Sequence, residues 1–92
     1  MRREVQILNE LGLHARPAAE FVRAAQKFQC EITLRKDSEA FSAASILEVL
    51  SANLDCGCQL VIEAIGPDAE AAIDRLEALL QEFKEQEERE LR

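Results

Sequence analysis

Apolar and polar residues follow two rhythms along this chain. From Glu4 to Leu8 the period is two, with Val5 and Ile7 on one face, which predicts a first strand. After a loop containing Gly12 the period lengthens. Ala18, Phe21, Val22, Ala25 and Phe28 then share one face of a helix that runs to about Lys27. Alternation returns at Cys30, Ile32 and Leu34, set against Glu31, Thr33 and Arg35, and predicts a second strand. The polar turn Lys36-Asp37-Ser38-Glu39 and a short strand from Ala40 to Ala43 complete a hairpin.

Ser45-Ile46-Leu47-Glu48 carries a capping box, a serine followed three residues on by a glutamate, and predicts a short helix to about Ala52. Asn53 suits the left-handed geometry that ends a helix. Gly57 marks a turn, and Leu60, Ile62 and Ala64 alternate with Val61, Glu63 and Ile65 in a fourth strand. Gly66-Pro67-Asp68 opens the last helix, whose stripe is Ala69, Ala72, Ile73, Leu76, Leu79, Leu80 and Phe83. The order β-α-β-β-α-β-α, with one-sided helices, predicts an α+β fold. It is a four-stranded antiparallel sheet with three helices on one face, the other face being left to solvent.

Composition narrows the functional classes. The chain has 92 residues, 48% of them hydrophobic, and a net charge of −7. That length allows one domain with a modest core. We place the domain at 1–84 and read 85–92 as a charged tail that extends or frays the last helix. Most of the negative charge lies beyond residue 66, basic residues form no patch, and Trp and Tyr are absent, which argues against nucleic-acid binding. Apolar runs are too short for a membrane span, and Arg2 and Arg3 precede no signal-peptide core. A cytoplasmic protein is expected. Three cysteines, Cys30, Cys56 and Cys58, fit reduced thiols better than a disulfide framework. Cys30 shares the inward phase of its strand and is expected to be buried. Cys56-Gly57-Cys58 offers two ligands where zinc normally takes four, so no metal is expected.

The chemistry concentrates in Gly12-Leu13-His14-Ala15-Arg16-Pro17-Ala18-Ala19, which contains the single histidine. The first helix starts within this stretch, either at His14 or at Pro17. Pro17 restrains the residue before it, whereas a start at His14 requires Arg16 to be helical. Both place free backbone N–H groups beside the imidazole, the arrangement that binds phosphate at helix N-termini. Imidazole titrates near neutrality and is a competent nucleophile. Arg16 supplies charge for the oxygens of a transferred group.

The octapeptide, the helix that follows it and Ser45-Ile46-Leu47 opening a second helix resemble the histidine-containing phosphocarrier (HPr) family of the bacterial phosphotransferase system. The likeness extends to about Phe83. It implies the open-faced β-sandwich of that family, with no cofactor. It further implies that His14 accepts a phosphoryl group on Nδ1 from enzyme I and passes it to EIIA-type proteins, with Arg16 steadying the phosphoryl oxygens. Gly12 and Pro17 shape the loop and helix start. Ala19, Arg23, Ile46, Leu47 and Leu50 fall where the family docks its partners, and Ser45 matches the serine modified by HPr kinase/phosphorylase. A monomer is expected. Asn9-Glu10-Leu11-Gly12 and Ala64-Ile65-Gly66-Pro67 are closer to the nitrogen-related (NPr) branch. Glu48 departs from the basic or small residue usual there, and should slow association with an acidic partner.

Two other classes compete with the relay. A regulatory binding module would use the phosphorylation states of His14 and Ser45 to control a transcription factor or enzyme. A stand-alone enzyme would use His14 as a general base, but the sequence shows no acid partner for it.

Overall fold

The computed structural model describes residues 1–90. Its elements run β1 (Arg2–Gln6), α1 (Ala15–Gln26), β2 (Glu31–Lys36), β3 (Glu39–Ser42), α2 (Ile46–Ser51), β4 (Gln59–Ile65) and α3 (Ala69–Glu90). The four strands form one sheet in the order β1-β4-β2-β3, and every neighbouring pair is antiparallel. This is the expected β-α-β-β-α-β-α fold. Alternate residues of the central strands, Ile32 and Leu34 on β2 and Leu60, Ile62 and Ala64 on β4, are buried beneath the helices. Phe21 and Val22 of α1, Val49 of α2, and Ile73 and Leu76 of α3 meet them. Burying each such large side chain contributes about 1.5–3 kcal/mol.

Element ends depart from the periodic reading for identifiable reasons. β1 spans Arg2–Gln6 and not Glu4 to Leu8, because its partner β4 begins only at Gln59, after the Gly57 turn. Ile7 lies past the regular ladder yet stays buried, with its N–H donating to the Cys58 carbonyl at 2.9 Å. β3 starts one residue early because Lys36 pairs with Glu39 across a two-residue turn, Asp37 taking φ +56°. α1 begins at Ala15 with His14 as the N-cap residue. Arg16 is therefore helical despite Pro17, and the proline sits in the first turn, where a missing N–H forfeits nothing.

The capping box at α2 is only half closed. The Ser45 hydroxyl accepts from the Glu48 N–H at 3.3 Å. The Glu48 carboxylate does not return to Ser45; it accepts from the Ser42 N–H at 3.1 Å, while the Ser45 N–H donates to the Ser42 carbonyl. Asn53 ends the helix in the left-handed conformation, at φ +52°. Cys30 is partly and not fully buried, because it lies just before β2, where the chain approaches Gly66.

The α3 stripe from Ala72 to Phe83 is buried as its spacing predicts. Past Phe83 the helix continues to Glu90, so the charged stretch is helical there. Leu91 and Arg92, the end of the expected tail, lie outside the described residues.

Candidate functional site

The loop between β1 and α1 carries the histidine and is held by its own backbone. Gly12 takes φ +65°, and its N–H and C=O both bond to Asn9: N–H to the Asn9 carbonyl at 3.1 Å, C=O from the Asn9 Nδ2 at 2.7 Å. Asn9 is buried, an uncommon state for its type; its Nδ2 is bonded to Gly12, while its Oδ1 is buried with no partner among the described residues. Leu13 is buried, and its N–H donates to the Leu54 carbonyl at 2.9 Å, docking the loop on the segment that follows α2. An asparagine three residues before a glycine is a turn signal that could have exposed Asn9 from sequence.

This scaffold leaves His14 exposed at the end of α1. Its backbone is extended (φ −89°, ψ −170°), and its side chain makes no capping bond. The His14 carbonyl accepts from the Ala18 N–H at 2.8 Å, the first bond of the helix. Pro17 has no N–H. The amides of Ala15 and Arg16 therefore stand in the first turn, where no intrahelical acceptor exists for them. They carry the positive end of the α1 dipole, beside the imidazole. Arg16 is highly exposed and lies 3.9 Å from the Glu20 carboxylate one turn on. Glu20 was not singled out by the sequence pattern, although its i,i+4 spacing from Arg16 was visible.

His14 and Arg16 border a recess of about 90 Å³ together with Leu11, Glu20, Glu87 and Glu90. Pockets that enclose small molecules run to about 300–1,000 Å³. The recess is thus too small to sequester a metabolite, and the imidazole is reached from outside. A wider groove, about 530 Å³, is an open trough between Arg2, Glu4, Arg35 and Val61, and does not include His14.

α1 and α2 pack side by side, and Gln26 of α1 donates to the Ala44 carbonyl at the approach to α2. Ala19 is half-buried and Arg23 exposed on α1. On α2 the inward residue is Val49, while Ile46, Leu47 and Leu50 are 36%, 77% and 41% exposed. Leu11, in the histidine loop, is 65% exposed. The sequence reading missed it, since a single leucine in a loop has no periodicity to report. Ser45 is partly buried at the head of α2.

The cysteines lie apart from this surface in chemistry. Among the described residues no group of three or more His, Cys, Asp or Glu side chains is placed to hold a metal ion. Burial, then the neighbouring Asp68 carboxylate, pushes the Cys30 thiol up, and burial does the same to Cys58. Cys56 is exposed. The thiolate is the reactive form. Under limiting iodoacetamide, Cys56 is therefore expected to be alkylated ahead of Cys30 and Cys58, as peptide mass spectrometry would read. Equal labelling of all three would contradict this.

Comparison with known proteins agrees with the geometry. Residues 1–82 match the family model described as "PTS HPr component phosphorylation site". The chain is 41% identical to the phosphocarrier protein HPr of Treponema pallidum over 83 residues, 90% of this chain and 94% of that protein. It is 39% identical to the phosphocarrier protein NPr of Shewanella violacea, over 87% of this chain and 88% of that protein. The crystal structure of an HPr from Bacillus anthracis str. Ames superposes with a TM-score of 0.83 at 37% identity, covering 86% of this chain and 94% of that one. With the fold, the histidine loop and the family model in agreement over nearly the whole chain, this protein belongs to the HPr family of the phosphotransferase system.

Proposed function

We propose that the protein is a phosphocarrier of the phosphotransferase system, with His14 as its phosphoryl acceptor. It is a relay component and not an enzyme. The observation that carries this reading is the exposed His14 imidazole at the start of α1, beside the Ala15 and Arg16 amides that have no helical acceptor. The imidazole attacks the phosphorus of phosphorylated enzyme I. A new N–P bond forms at Nδ1 as the donor's bond to phosphorus breaks; in a second transfer the Nδ1–P bond breaks as the nucleophile of an EIIA-type acceptor bonds to phosphorus, which frees the imidazole. Little else is asked of the protein than positioning and charge stabilisation. Arg16 supplies charge by leaving Glu20 for the phosphoryl oxygens. A surface pair of that kind contributes at most about 1 kcal/mol, so the swing costs little.

Ala19, Arg23, Ile46, Leu47 and Leu50 form the docking surface in this reading, with Leu11 beside the histidine. Exposed leucines and isoleucine on one side of a short helix suit successive partners that must bind and leave. Glu48 lies on the same helix, but its bond to the Ser42 N–H draws its carboxylate back. Ser45 is the regulatory position, the substrate of an HPr kinase/phosphorylase. The protein acts as a cytoplasmic monomer. No helix among the described residues is long and apolar enough to cross a membrane. The regulatory-module reading gains nothing from the comparisons, because HPr and NPr relatives are similar to this chain to nearly the same degree.

Incubation with phosphoenolpyruvate and enzyme I is expected to add one phosphate that is labile in acid and stable in base, as a phosphoramidate is. Intact-mass spectrometry reads the addition. A protein that stays unmodified, or one whose phosphate survives acid, would sink the proposal.

A further inference from the structure

The last turns of α3 reach the histidine loop. Both oxygens of the Glu87 carboxylate accept backbone N–H groups of that loop, one from Glu10 and the other from Leu11 at 3.0 Å. These residues are more than seventy positions apart in the chain. Among the described residues the two amides have no backbone acceptor of their own. Glu87 itself is half-buried, although it lies one helical turn past Phe83, the last core residue of α3. On its inner side the same loop is held by Asn9 and by the Leu13 bond to Leu54. The loop is thus gripped from both sides just ahead of His14.

We infer that Glu87 is a positioning residue for phosphoryl transfer: a carboxylate clamp on the Glu10 and Leu11 amides that fixes the loop aiming His14. The inference rests on His14 being the acceptor. Its physical content is twofold. Consecutive amides bonded to one carboxylate hold the local backbone in a single orientation, so the imidazole stays near its line of attack. Binding two amides also engages both oxygens of the Glu87 charge, which would otherwise face the incoming phosphoryl group across the recess shared with His14. Transfer between proteins is sensitive to such placement, since a misplacement of about 1 Å can cost 10²-fold in rate.

The test compares the full-length protein with Glu87→Ala and Glu87→Gln. Phosphorylation by enzyme I is expected to slow about tenfold in Glu87→Ala, chiefly in kcat, because the docking residues of α1 and α2 are untouched and only Leu11 of that surface is held by the clamp. Glu87→Gln keeps one accepting oxygen and should fall between the two. Amide hydrogen exchange followed by NMR should speed up at Glu10 and Leu11 in the same order, with exchange in the core strands unchanged. A wild-type kcat in Glu87→Ala overturns the clamp. So does a slowed kcat without faster exchange at those two amides. A wild-type protein that takes no phosphate on His14 is a different failure: it overturns the relay reading, and the clamp with it.

Discussion

His14→Ala should leave a folded protein that takes no phosphate from enzyme I. The side chain is exposed and makes no capping bond, so its removal should change stability by no more than about 0.5 kcal/mol. Its chemistry, by contrast, has no substitute. The chain contains one histidine, and the remaining nucleophiles, such as Ser45 and Cys56, would give phosphate adducts of other chemistry. Removing a nucleophile typically lowers rates by several orders of magnitude, so phosphorylation should fall by at least about 10³-fold. Thermal unfolding by circular dichroism checks the fold, and intact mass after incubation with phosphoenolpyruvate and enzyme I checks the chemistry. An acid-labile phosphate on His14→Ala would remove the histidine from the proposal.

Gly12→Ala should damage both stability and transfer. A side chain at φ +65° is strained by about 1–2 kcal/mol before any contact is counted. A Cβ built there would meet the Leu54 carbonyl oxygen at 2.5 Å and the Asp55 Cα at 2.9 Å. Both are backbone atoms and cannot rotate away. The Leu54 carbonyl is also the acceptor of the Leu13 N–H, so relieving the clash breaks the bond that docks the loop. Together these effects should cost about 3 kcal/mol, or roughly 15 °C in Tm for a domain of this size. At temperatures where the variant remains folded, phosphorylation should still slow about tenfold or more, because His14 follows two residues on. A Tm within two or so degrees of the parent, by roughly the same scaling, would contradict this account.

Much of the molecule was legible in the residue pattern because it arises from neighbours in sequence. Period-two and period-3.6 spacing mark the strands and helices through contacts a few residues apart. Ser45 and Asn53 bound α2 by local capping chemistry, and Asp37-Ser38 makes its turn for the same reason. The octapeptide was readable too: a nucleophile, a cation and a helix start lie within eight residues. The start of α1 was read as His14 or Pro17, and the helix takes neither: Ala15 is its first residue, with His14 as the N-cap. The choice of Ala15 came from outside the helix, once burial of Leu13 and its bond to Leu54 set where the chain turns.

What the pattern could not contain are pairings between distant residues. The sheet order β1-β4-β2-β3 brings Val5 opposite Leu60, and no local signal specifies that register. The Glu48 carboxylate turned to Ser42 rather than to its own helix cap because β3 delivers that N–H within reach. Cys30 kept its inward phase but lost full burial, since β2 begins only after it. Glu87 reads in sequence as one acid in a solvated tail; only the packing of α3 on β1 and α1 carries it to the loop amides of Glu10 and Leu11. The sequence by itself determined the elements and gathered the residues of the phosphate site proposed at His14, because both depend on residues within a turn or two of one another. The tertiary structure decided what surrounds that histidine and holds it in place, because those contacts exist only when the sheet and the last helix close around the loop.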